Sequence, residues 1–375
     1  MAVSLSACGG TDGEVEVALT AAATAAAEAA AAEAASDQAQ VLTSGTNALF
    51  FSGADNVITA GEDISGGVAV QVLDLGDEIN GGGGEDTLKI LSSGNFANLP
   101  LGLTLTSVEN MTLLAGGTVA IDTTAAGLAS VTEVSVLGAV GAITVTGAAT
   151  QNLSITDTTL TGNLIANGGN AVTVTAGAQT TQTIVVGTTT AAAGATVVVA
   201  DGGSAGANVT LGTITATGGT SISATQTTGA QTGVFTATQG AMVLTGNATT
   251  TSVTAIQAEA VTANTAVVAA AGVAAEAASI GVVNGAVTIA DASAGTDSTN
   301  TISDVTITNA AAATVDSNAL ANLNLSGTIT SVDAQNSSTA ATAARCSSPS
   351  STRASSASAA WPSRCSRCAR GVGGG

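Results

Sequence analysis

The chain has 375 residues, 45% apolar but only 1% aromatic, with 46 Gly, no Tyr and no His. That inventory excludes a core built around large aromatics and any catalytic pair or zinc site that needs an imidazole. Residues 1–344 carry one cation, Lys89, against 26 acids, a formal charge of −25, and five arginines follow. Such a polyanion repels nucleic acid and anionic lipid, and cations are its natural small partners.

Residues 1–40 divide in two. Leu5-Ser6-Ala7-Cys8, followed by Gly9-Gly10, resembles the lipobox of bacterial lipoproteins, which implies lipidation of Cys8 and a lipid anchor. Only seven residues precede Cys8, with no basic stretch among them, which departs from that pattern. Residues 14–40 are dominated by Ala, the best helix former, so an Ala-rich helix capping the folded body is expected. Glu28, Glu33 and the weak hydrophobicity of Ala argue against a membrane span there, and no other segment suggests a transmembrane segment.

Residues 41–103 hold the sharpest motif. Gly81 to Lys89 fits the nine-residue pattern G-G-x-G-x-D-x-U-x, with Gly81, Gly82, Gly84, Asp86 and Leu88 in the five specified places. This is the calcium-binding turn of a parallel β-roll. Glycines turn the backbone tightly and present carbonyl oxygens, the aspartate supplies a hard anionic oxygen, and the aliphatic enters the core. Asp77 stands nine residues before Asp86, and Gly53-Ala54-Asp55-Asn56-Val57 repeats the G-x-D-x-U half of the pattern. The expected metal set is Asp77, Gly82, Gly84 and Asp86 with Ca2+. A glycine turn whose aspartate is merely solvated is the alternative.

Residues 104–338 are a succession of short Val, Ile, Thr and Leu runs cut by Gly, Asn and Asp, such as AITVTG (142–147), NLSITDT (152–158) and VTITNA (305–310). Many alternate apolar with Thr or Ser, and in the denser stretches they start every 9–13 residues, which is strand patterning with one face in and one out. An all-β fold follows: an elongated parallel β-helix or β-solenoid, with tandem β-sandwiches as the alternative. Small stacked residues favour the solenoid, at roughly 20–25 residues per coil. Val261 to Val283 is richer in Ala and leaves room for a short helix.

Residues 339–375 change character abruptly. They hold three of the four cysteines, the only Trp and five of six basic residues, a mixture that reads like a GC-rich gene translated in the wrong frame. Cys365-x-x-Cys368 is half a zinc site with no second half.

LTSGTNALFFSGADNVITA (42–60), LGDEINGGGGEDTLKI (75–90) and LTSVENMTLL (105–114), followed by Thr/Ala-rich strands, resemble bacterial RTX-related surface exoproteins, including Caulobacter-type S-layer proteins. That resemblance implies a structural role at the cell surface with calcium-dependent folding and export, and calcium held by Asp86 with carbonyls around Gly82 and Gly84. The expected function is an extracellular structural or adhesive surface protein, S-layer-like or RTX adhesin-like, whose partners are other copies of itself or a cell-surface polysaccharide. Two alternatives stand beside it: a lipid-anchored lipoprotein displaying the rod, and a carbohydrate-binding or degrading β-helix. An enzyme is not expected. Lys89 is the lone cation of the body, and the pairs Glu62-Asp63, Asp77-Glu78 and Glu85-Asp86 are adjacent on extended chain, where neighbours point to opposite faces.

Overall fold

The computed structural model describes residues 39–51, 53–203, 208–229, 236–258, 281–292, 300–335 and 345–347. The described chain is nearly all β, with a single 3-10 turn at Ala126–Leu128 and no α-helix among the described residues. Strand formation follows from side-chain shape. In Asn152–Asp157, Leu153 and Ile155 are buried while Ser154 and Thr156 are half-exposed, the two-residue period of a pleated ribbon with one dry face.

Two long parallel sheets dominate. Thirteen strands, from Ala39–Val41 to Arg345–Ser347, stack in chain order in one sheet, and ten, from Phe96–Ala97 to Val332–Gln335, do so in the other. Between successive strands of the longer sheet, from Thr87–Ser92 to Asn322–Ile329, the chain visits the shorter one once. Parallel neighbours need a crossover, and here each crossover is itself half a coil. The result is a parallel β-helix, about 60 Å long for thirteen strands at ~4.8 Å each. Tandem sandwiches are set aside because their sheets are antiparallel. Among the described strands only Glu62–Asp63 and Val70–Gln71 pair that way.

The interior is a set of columns. Ile58, Leu88, Met111, Val134, Leu153 and Val172 lie directly over one another in register, and Ile90, Leu113, Val136, Ile155 and Val174 form the next column. The shorter sheet answers with Val119, Ile143, Leu164, Ile184, Ile214, Met242 and Val287. All are at most 2% exposed. Aliphatics that stack on their own kind bury about 1.5–3 kcal/mol each without needing a large aromatic.

Coil length varies more than the expected 20–25 residues. The register advances 18 residues from Ala39 to Val57 and 31 from Ser221 to Ser252, and 52 from Ser252 to Asp304. Residues on either side of position 103 belong to one continuous sheet, since Thr87–Ser92 pairs with Asn110–Ala115 over six positions. Two short three-stranded sheets add a third face locally: Ala48–Phe50 with Glu78–Asn80 and Thr104–Thr106, and Val209–Thr210 with Thr236–Thr238 and Gly281–Val283.

Cys8, the expected helix up to residue 38, residues 261–280 and the tail apart from 345–347 lie outside the described residues. The last two residues assigned to the helix, Ala39 and Gln40, are strand, held by parallel pairing with Val57 and Ile58. The end of the Ala-rich segment is also strand, Gly281–Val283, added to the edge of Thr236–Thr238. No described helix is long and apolar enough to cross a membrane.

Candidate functional site

The glycine turn sits between two stacked coils. Ala48 pairs with Glu78 and Val57 with Thr87, both at an offset of thirty residues, so residues 53–56 lie over residues 83–86 in two stacked wide turns. The next coil breaks the pattern: Thr106 pairs with Asn80 and Asn110 with Thr87, leaving only residues 107–109 to span the same corner. The stack of wide turns therefore holds two members.

Within it, the glycines are required by geometry. Gly82 and Gly84 have φ of +89° and +105°, and a Cβ on either would lie 2.5–2.6 Å from the backbone of Phe51 or Ala54. Gly81 is equally constrained, because its missing Cβ leaves room for the carbonyl oxygen of Ser107 and for Oδ2 of Asp86, 2.1 and 2.3 Å from the Cβ position. Ser107 itself has φ +50°, a left-handed conformation forced by the short three-residue corner.

Asp77 and Asp86 are both fully buried, and each faces its own partner rather than the other. Asp86 Oδ1 accepts from the Asn56 backbone N–H at 2.7 Å and from Asn56 Nδ2 at 2.8 Å. Asp77 Oδ1 accepts from the Asn47 backbone N–H at 2.6 Å and from Asn47 Nδ2 at 3.3 Å, and its Oδ2 accepts from Asp74 N at 2.7 Å. Asp86 also donates its backbone N–H to Glu109 Oε2 at 2.9 Å. Its Oδ2 is buried with no hydrogen-bond partner. Burial pushes the Asp86 carboxyl above its ordinary range, the Asn56 hydrogen bonds pull it back, and Glu109 and Asp55 push it further up.

The four residues expected to hold calcium thus split into two arrangements. Gly82, Gly84 and Asp86 belong to one turn, while Asp77 lies just before the strand Glu78–Asn80 and closes a different one. No group of three or more Asp, Glu, Cys or His side chains suited to a metal ion occurs among the described residues. Calcium takes six to eight oxygens. Around Asn56 Nδ2 three oxygens converge, and an amide already fills their centre. The half-motif at Gly53–Val57 also lies one residue out of the expected phase. Asn56, not Asp55, stands over Asp86, and Asp55 is exposed and accepts the Glu85 N–H at 2.8 Å.

Asn47 and Asn56 carry this site and escaped the sequence reading. Their signal was nonetheless present: they stand nine residues apart, as Asp77 and Asp86 do. A second polar feature gave less warning. Gln226 and Gln257 are fully buried, adjacent in register, and send their Nε2 groups to the carbonyls of Gly212 and Gly240, each at 2.9 Å. Lys89 is exposed in an outward column between Thr59 and Thr112. No protein-family model matches the chain, and no curated protein matches it.

Proposed function

We propose that this chain is a non-catalytic structural rod of the bacterial cell surface, acting extracellularly through self-association, in the manner of an S-layer or adhesin subunit. One observation carries the reading: beyond Lys89, from Thr112 to Thr306, one outward column of the thirteen-stranded sheet is a ladder of hydroxyl side chains interrupted only by Val197. Thr112, Ser135, Ser154 and Thr173 follow one another in register, then Val197, Ser223, Thr254 and Thr306. Short, uncharged side chains repeating at one strand spacing suit lateral packing against another regular surface.

A neighbouring outward column supplies an adhesive contact. Leu91, Leu114 and Leu137 stack on adjacent strands, with Leu114 44% and Leu137 38% exposed. The acidic body keeps such rods apart until that stripe and the hydroxyl ladder meet a partner. Light scattering of the full chain over a wide concentration range tests this. Growth in apparent mass is expected for the wild type and its loss for Leu114→Lys with Leu137→Lys. A wild type that stays monomeric throughout removes the self-assembly reading.

A further inference from the structure

We infer that the side-chain amides of Asn47 and Asn56 occupy the positions a bridging cation takes in a glycine–aspartate turn, so that this pair of coils is closed without metal. The Nδ2 of Asn56 lies 2.6 Å from Ala54 O, 3.2 Å from Gly81 O and 2.8 Å from Asp86 Oδ1. These are one carbonyl from its own coil, one carbonyl from the next, and one carboxylate. That donor set, backbone oxygens of a glycine turn plus an aspartate, is what a hard cation binds.

An NH2 group has two hydrogens to share among three acceptors, so the convergence exceeds what an amide alone requires. Asn47 makes a related set nine residues earlier, with both carbonyls from its own coil. Its Nδ2 lies 2.8 Å from Thr43 O, 2.6 Å from Gly45 O and 3.3 Å from Asp77 Oδ1. Each asparagine also sends its backbone N–H to the same carboxylate oxygen, at 2.7 and 2.6 Å. The two sites share the carbonyl two residues back, the carboxylate thirty residues on and the backbone N–H to that carboxylate, and only Asn56 adds a carbonyl of the next coil.

The amide differs from a cation in being covalently held and neutral. It cannot be chelated, and it brings no positive charge to either aspartate. The sequence consequence is specific. Changing the amide to a carboxylate removes both N–H donors and places a second anionic oxygen among acceptors, which a bound metal ion or a shared proton must reconcile.

The experiment is melting of the full chain by circular dichroism, in millimolar calcium and in EGTA, with calcium titration calorimetry alongside. The wild-type curves should superimpose and the calorimeter should record no binding. Asn56→Asp should melt several degrees lower than wild type in EGTA, recover in calcium, and bind about one equivalent more than wild type. A wild-type transition that rises with calcium overturns the inference, and so does a folded Asn56→Asp that melts alike in both buffers. Should Asn56→Asp fail to fold in either buffer, Asn47→Asp carries the same readout in a less buried turn. A calcium-blind Asn47→Asp, folded or unfolded in both buffers, then overturns the inference.

Discussion

Gln226 Oε1 accepts the backbone N–H of Gly240 at 2.8 Å, while its Nε2 donates to Gln179 Oε1 at 2.7 Å and Gly212 O at 2.9 Å. One side chain thus links three successive levels of the corner where the two long sheets meet. Gln257, directly above it in register, is less committed: its Nε2 reaches Gly240 O, but its Oε1 is buried without a partner.

The asymmetry orders two substitutions. Gln226→Leu strands the Gly240 N–H and Gln179 Oε1 and leaves Gly212 O only the longer bond from Gln179 Nε2 at 3.3 Å, at about 1–3 kcal/mol for each group left unsatisfied. Gln257→Leu removes an orphaned oxygen along with one donor, so its net cost should be smaller, about 1 kcal/mol. Thermal or denaturant unfolding of both variants checks the order. Equal losses would mean that the corner is held by packing alone.

The glycines of that corner make a second prediction. A Cβ on Gly240 would lie 2.0 Å from Gly212 O, and one on Gly285 would lie 2.2 Å from Gly240 O, backbone against backbone in both cases. Neither coil can yield without parting from its neighbour. Gly240→Ala should cost about 3 kcal/mol or more, at the upper end of overpacking penalties. Gly94→Ala, where a Cβ meets nothing within 4 Å, should stay within ~0.5 kcal/mol of wild type. The measurement is unfolding of the two alanine variants side by side.

The strands and their inward faces were legible in the sequence because two signals coincide in runs such as NLSITDT: an aliphatic at every second position and a hydroxyl between. Register was not. Coils advance by anything from 18 to 52 residues, so local periodicity does not say which residue lies over which. That is why Asp55 looked like the equivalent of Asp86 when the structure stacks Asn56 there. Inward polar positions were also hidden. Gln226 continues the alternation of Ile222 and Ala224 toward the core, where a sequence reading assigns apolar residues, and only the neighbouring glycine carbonyls make a glutamine the fitting choice.

Asp86 offers a third prediction, aimed at its role in the turn. Its Oδ1 needs only to accept, and its partnerless Oδ2 borders, with the Ser107 carbonyl oxygen, the space left by the missing Cβ of Gly81. An asparagine keeps the acceptor toward Asn56 and puts a neutral donor in place of the buried, unpartnered oxygen. Asp86→Asn should therefore match or exceed wild-type stability at neutral pH, whereas Asp86→Ala should lose about 1–3 kcal/mol through the abandoned Asn56 donors. A destabilised Asp86→Asn, measured by thermal melting at pH 7, would show that the carboxylate charge itself is needed there.

Asp157 turns the same physics into a pH dependence. It lies inward over Ala176, 2% exposed, with Oδ1 accepting from Thr159 N at 2.9 Å and Oδ2 buried without a partner. Burial raises its carboxyl above the ordinary value of 3.8, and the Thr159 hydrogen bond opposes this only in part. A carboxyl raised on folding favours the native state while it is protonated. That contribution is complete below the unfolded value and is lost as pH rises through the folded one. Glu62, Asp63 and Asp304 are shifted the other way by hydrogen bonds, so their contributions are present at neutral pH and lost on acidification. Asp157→Asn keeps the Thr159 acceptor and removes only the ionisation, so it isolates one arm of this opposition. Its melting temperature should exceed that of wild type at pH 7, and the gap should close as the pH falls through about 4. An advantage that persists unchanged at pH 3 would place its origin in packing instead of charge.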